Sequence, residues 1–129
     1  MNRPIAAKPK VQRDRAAARR ERALTRLRSI CLKFPECSEA TSFGNPAFRA
    51  GKRAFVVLDC YKGADCIFLY ADPGLRDELL KTPHYFPAPY DPRAKGICRT
   101  LDRIDWRELK ALILGSYRCV ALKRMLAAL

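Results

Sequence analysis

The sequence predicts an α+β two-layer sandwich: one mostly antiparallel five-stranded sheet with helices on one face, in the order α-β3-α-β2-α. Three observations lead there. Apolar residues near both ends recur at helical spacing, whereas those in the middle alternate at strand spacing. The strand-like segments are joined by short turns, which marks hairpins rather than long parallel crossovers. The 129-residue chain suits one domain around a single core.

Residues 1–12 read as a disordered basic tail, with Pro4, Pro9 and little apolar mass. From Arg13 a single domain begins with a basic helix. Its stripe of Ala23, Leu24, Leu27, Ile30 and Cys31 docks, and Phe34-Pro35 stops it, because a residue before proline is pushed from helical geometry. Thr41 to Phe43 is a candidate short strand before a Gly44-Asn45-Pro46 turn. Ala47 to Ala50 is a strand, and Gly51-Lys52 turns the chain. Arg53–Tyr61 and Cys66–Tyr70 form a hairpin around residues 62–65.

Asp72-Pro73 opens the next helix, with an oxygen-bearing cap followed by a proline whose missing N–H is harmless there. Leu75, Leu79 and Leu80 give it a buried side. The proline-rich passage 84–92 supplies one edge strand, since proline cannot donate to a central ladder. Gly96–Asp102 is the last strand. Asp105 and Glu108 form a capping box, and Leu109, Leu112, Ile113, Ser116 and Val120 mark the inner face of a helix reaching about Arg124.

Charge is unevenly spread. The net charge is +13, and residues 1–28 hold ten Lys/Arg against Asp14 and Glu21, which is +8 of it. The remainder is only moderately basic, so overall charge alone does not argue for DNA. Six cysteines without a C-x-x-C pair or a secretory signal are expected as small buried hydrophobes in a reducing cytoplasm. No stretch is apolar enough to span a membrane.

Within the hairpin, pairing Tyr61 with Cys66 would put Ala54, Val56, Leu58, Cys60, Ile67 and Leu69 on the helix-covered side. Phe55, Val57, Asp59, Tyr61, Cys66, Phe68 and Tyr70 would line the other. An uncovered aromatic side needs an occupant. Stacked bases or a planar ligand, a second copy of the chain, and the N-terminal rod or the proline-rich loop are the three alternatives. A direct Cys60–Cys66 cross-strand pair would overturn this assignment.

Basic residues on the domain fall at Arg49, Lys52 and Arg53 of the early hairpin, at Arg93, Lys95 and Arg99 flanking the late strand, and at Arg118, Lys123 and Arg124. Hairpin-tip cations can touch phosphates, as can Arg19, Arg20, Arg22 and Arg26 of the N-terminal helix. Catalytic patterns are thin. The chain has no phosphate-binding glycine loop, and its one histidine, His84, sits between prolines without a nucleophile partner. The cysteine spacings fit no zinc site. No catalytic residue, cofactor or metal is expected.

Ser42, Phe43, Gly44, Pro46, Phe48, Arg49, Gly51 and Lys52 form one pattern. Pro87, Ala88, Pro89 and Tyr90 form a second, and Leu101, Asp102, Asp105, Trp106, Glu108, Leu109, Ser116 and Tyr117 a third. In combination, over residues 20–127, the chain resembles the MmcQ/YjbR-like family of small bacterial proteins. The resemblance implies a fold related to frataxin-like proteins and secretion chaperones, and a DNA-binding role through a double-wing motif. Two departures stand out: the family's tryptophan near Gly96-Ile97 is missing, and Leu122 replaces a common proline. The expected function is a non-enzymatic DNA-binding module; the alternative is a protein- or small-ligand-binding module, self-associating as a dimer, that uses the open sheet side.

Overall fold

The computed structural model describes residues 9–89 and 95–129. The expected tail at 1–12 therefore lies largely outside the described residues. The elements are α1 (Lys10–Cys31), β1 (Cys37–Ser42), β2 (Asn45–Ala50), β3 (Arg53–Tyr61) and β4 (Ala64–Tyr70), then α2 (Pro73–Leu80), β5 (Tyr85–Pro87), β6 (Gly96–Thr100), α3 (Trp106–Val120) and α4 (Lys123–Ala127).

The sheet has six strands, not five, in the order β1-β2-β3-β4-β6-β5, and every described pairing is antiparallel. The additional strand is β1, whose Cys-Ser-Glu-Ala-Thr-Ser sequence carries little strand signal. It forms because Phe43 and Gly44 adopt φ values of 50° and 81°, a two-residue turn whose twist matches the paired strands. Asn45 and Pro46 thus belong to β2 rather than to a turn. Pro46 is tolerated because the β2–β3 ladder ends at Ala47–Val57, before its missing N–H is needed.

The core lies between the sheet and its helices. Leu109, Leu112, Ile113, Ser116, Tyr117 and Val120 form the buried face of α3, which packs on β3 and β4. From α1 come Ala23, Leu24, Leu27 and Cys31, so this basic helix is part of the domain's core. Its first half projects: from Lys10 to Arg19 every residue but half-buried Ala16 is exposed. Helix α3 ends at Val120, short of Arg124, because Ala121 turns extended. The five-residue α4 then inserts Met125 into the core.

Two details of β3 differ from simple alternation. Phe48 pairs with Val56 but Arg49 with Ala54, so Phe55 is an extra, bulged residue. The bulge swings Phe55 to the helix-covered side, fully buried, with its ring centroid 6.1 Å from that of Phe34 and 5.3 Å from that of Tyr117. Phe55 is therefore not on the open side. Tyr61 pairs with Ala64 rather than Cys66, around a Lys62-Gly63 turn with φ values of 51° and 78°. That two-residue slip keeps the parity of the faces: Asp59 still shares a side with Phe68 and Tyr70. Cys60 opposes Asp65, while Cys66 opposes Asp59.

Local signals held unevenly. Asp105 Oδ1 accepts from the backbone N–H of Arg107 and Glu108 at 3.0 and 3.3 Å. Glu108 does not close the box; its carboxylate instead accepts from the Tyr85 hydroxyl at 3.1 Å. At α2, Asp72 makes no side-chain cap bond, and Leu75 is exposed while Leu79 is buried. Cysteines 31, 66 and 98 are buried and Cys37 half-buried, but Cys60 and Cys119 are exposed, because they stand at a strand end and a helix surface rather than in the core. No described helix is long and apolar enough to cross a membrane.

Candidate functional site

Three surfaces collect the side chains that could recognise a partner. The first lies along α1. The Asp105 cap makes Trp106 the first residue of α3 and sets its half-buried ring against α1, with the Arg26 guanidinium 5.9 Å from the ring centroid. Arg19, Arg22 and Arg26 line a hollow of about 480 Å³ with Leu101, Ile104 and Trp106. Next to it, Arg26, Lys33, Arg107 and Lys110 surround a second hollow of about 540 Å³, again against Trp106. Six cations thus line the two hollows that share Trp106, with Glu21 the acidic residue among these linings. Lys33, Arg107 and Lys110 were not in the sequence-derived set, because only the docking of α1 beside α3 brings them together.

Arg20 points elsewhere. Beyond Ala47–Val57, strand β3 continues without β2 beside it, and Arg20 takes the Leu58 carbonyl this leaves. Its Nη atoms donate to the Leu58 and Asp59 carbonyls at 3.0 and 3.2 Å, to Asp65 Oδ1 at 2.9 Å and to Asn45 Oδ1 at 3.0 Å. Both Nη atoms of this guanidinium are engaged in tying α1 to the sheet. Arg28 likewise grips Glu39 through two bonds of 2.7 and 3.0 Å. Those hydrogen bonds hold the Glu39 carboxyl below the usual carboxylate range.

The second surface is at the far end of α3. Lys52 and Arg53 are exposed, and Arg49 is half-buried between Ser38 and Ala54. Arg53 and Lys95 share a hollow of about 370 Å³ with Tyr70, Asp72, Pro73, Cys119 and Val120. Trp106 and Val120 are the first and last residues of α3, so the two basic clusters stand roughly 20 Å apart at 1.5 Å per residue. Arg93 lies outside the described residues. Arg99 is 5% exposed: its guanidinium donates to the carbonyls of Thr100, Asp102 and Arg103 at 2.7, 2.8 and 3.1 Å and packs 5.4 Å from the Tyr85 ring centroid. It braces the loop before α3 rather than reaching solvent. Arg124 pairs with Glu36 through bonds of 2.9 and 2.8 Å.

The third surface is the open side of the sheet. Val57, Asp59, Phe68, Tyr70 and Cys98 floor a cavity of about 330 Å³, walled by Ser42, Phe43, Asn45, Ala88 and Pro89. Phe68 and Tyr70 meet edge to face at 5.2 Å, and Tyr61 stacks on Phe86 at 6.3 Å. The Phe68 ring lies over Gly96 so closely that a Cβ there would fall 2.3 Å from its Cε2. Phe43 stands at the rim, 103% exposed, with positive φ. At the polar end, Asp59 Oδ1 accepts from Asn45 Nδ2 at 3.1 Å and from the Cys60 N–H at 2.7 Å. The strand alternation pointed to this floor, whereas the walls come from segments distant in sequence.

Burial raises the Cys31 and Cys37 thiols, the latter to about 11, and a hydrogen bond to Cys98 raises Cys66. Such thiols are poor nucleophiles at neutral pH. Among the described residues no three His, Cys, Asp or Glu side chains converge as a metal site.

The YjbR family model matches residues 32–119. A Deinococcus radiodurans protein with a DUF419 domain superposes with a TM-score of 0.68 at 23% identity, covering 81% of this chain and 86% of its own. A Pseudomonas syringae protein gives 0.64 at 18% identity, covering 78% and 97%. At these identities the two likenesses speak for the fold alone. No curated protein matches the chain.

Proposed function

The chain belongs to the YjbR family, and from that premise we propose that it is a non-enzymatic nucleic-acid-binding module whose main phosphate-contacting surface is the α1–α3 groove. One observation carries the reading: Arg19, Arg22, Arg26, Lys33, Arg107 and Lys110 border the two adjoining hollows around Trp106. A row of cations on a rigid helix attracts the regularly spaced charges of a nucleic-acid backbone, and each neutralised phosphate releases counterions. Arg53 and Lys95, which share one hollow, and the exposed Lys52 next to Arg53 in the chain supply a second, smaller set of cations that extends the contact without reading sequence. Arg20 serves the fold and contributes no phosphate contact.

Duplex DNA of random sequence is the direct test, titrated against salt by fluorescence anisotropy. Binding should weaken steeply with salt, and the variant Arg19→Gln/Arg22→Gln/Arg26→Gln should lose affinity and flatten the log–log slope by about 0.9 per lost contact. No binding by the unaltered protein at low salt, or an unchanged slope in the variant, would overturn the reading.

A further inference from the structure

We propose that the cavity on the open side of the sheet is a binding site for a small flat aromatic molecule that carries a protonated amine. It stands on the opposite side of the sheet from the α1–α3 groove and does not depend on nucleic-acid binding.

The shape comes first. A volume of about 330 Å³ holds one ring or a compact fused pair with a short side chain, at the small end of ligand pockets. Phe68 and Tyr70 present ring surfaces, and Val57, Ala88 and Pro89 add aliphatic wall. Aromatic rings set edge to face leave room for a third ring to stack in the same manner.

Phe43 is the second indication. A phenyl ring wholly in water, on a residue held at φ 50°, does nothing for the core and sits in backbone space that favours glycine. Its position at the cavity rim gives that arrangement a use, as a side chain free to close over an occupant. The two sequence patterns Ser42-Phe43-Gly44 and Pro87-Ala88-Pro89, more than forty residues apart in the chain, meet at this rim.

Charge selects the ligand's polar end. Asp59 is half-buried at one end of the cavity, and the two hydrogen bonds its carboxylate makes among the described residues both fall on Oδ1. Among the described residues its carboxylate forms no salt bridge; the nearby Arg20 is salt-bridged to Asp65, with Asn45 interposed between Arg20 and the Asp59 carboxylate. Oδ2 is therefore left to accept from an ammonium placed beside the rings, with Asn45 and Ser42 completing a polar corner. An anionic ligand would meet a carboxylate here and six cations at the other groove.

The test uses three matched probes, 2-phenylethylamine, 2-phenylethanol and 3-phenylpropionate, titrated calorimetrically into the full chain and followed by amide shifts. The amine should bind at least ten-fold more tightly than the alcohol, with the acid weakest, and the shifts should centre on Val57–Asp59, Phe68–Tyr70 and Cys98. Asp59→Asn keeps an acceptor for Asn45 and should abolish the preference for amine over alcohol. Val57→Phe should block all three probes, and Phe43→Ala, which removes no packing, should weaken them while leaving the fold intact. The Arg19/Arg22/Arg26 variant should bind the amine as the unaltered protein does. Absence of saturable binding, equal affinity for acid and amine, or shifts away from the cavity would overturn the site. So would a sedimentation mass that doubles and reverts in Phe43→Ala, since a second copy would then be the occupant.

Discussion

The hydroxyl of Ser116 on α3 donates to the carbonyl of Phe55, at the bulge of β3, while accepting from the Tyr70 N–H at 2.9 Å. One side chain thus satisfies two backbone groups on neighbouring strands at the point where the ladder is interrupted. Ser116 is fully buried, so neither group can turn to water. Ser116→Ala should destabilise the fold by about 1–3 kcal/mol for each group left unpaired, read from the urea midpoint.

Arg20 offers a contrast to its neighbours on α1. Arg20→Gln removes four bonds, most of them between a charged donor and a backbone or carboxylate oxygen, and should cost about 1.5–3 kcal/mol. Arg22→Gln, on the same helix but exposed, should leave the urea midpoint nearly unchanged and act on DNA affinity alone. A double readout of midpoint and anisotropy separates the two roles.

Acid should loosen the α1–β1 seam. Arg28 and Glu39 hydrogen-bond at 2.7 Å, and these bonds, more than the Coulomb attraction, hold the Glu39 carboxyl below its ordinary 4.5. Glu36 beside Arg124 is lowered in the same way. A lowered folded-state value means the contribution is present above about pH 4.5 and is lost as pH falls through that lower value. Glu39→Gln should therefore narrow the midpoint difference between neutral and acidic buffer, and a flat profile in both proteins would contradict the assignment.

Thiol reactivity should divide the cysteines by position. Cys60 and Cys119 are exposed and should react with an aromatic disulfide reagent in the native state, though slowly, since partial burial raises both. Cys31, Cys66 and Cys98 should react only after denaturation. Counting released chromophore with and without denaturant checks this.

The helices and hairpins were legible because their signals are local. The stripe of Leu109, Ile113, Ser116 and Val120 repeats within one segment, and the Asp105 cap is read from adjacent residues. The bulge at Phe55 was not legible: no glycine or proline marks it, and it arises from how Phe34 and Tyr117 receive the ring. Of strand β1 only the Thr41–Ser42 end was legible, because its polar residues are held by a turn at Phe43, a residue type seldom found at positive φ. Arg99 shows the same limit from the other direction. Its charge suggested a surface, yet three carbonyls of the following loop converge on it. Basic residues grouped by sequence were redistributed by topology, with Arg53 joining Lys95 and Arg26 joining Lys110.

The segment that matches the YjbR model begins at residue 32, yet Leu27 and Cys31 just before it are wholly enclosed. A fragment cut to the matching boundaries would bare a strip of sheet to water and shed the Leu24 and Leu27 side chains, each worth about 1.5–3 kcal/mol when enclosed. Such a fragment should collect in inclusion bodies or on chaperones. For expression and engineering, the smallest autonomous unit starts upstream of the recognisable motif, on the very rod whose outer side is given over to charge.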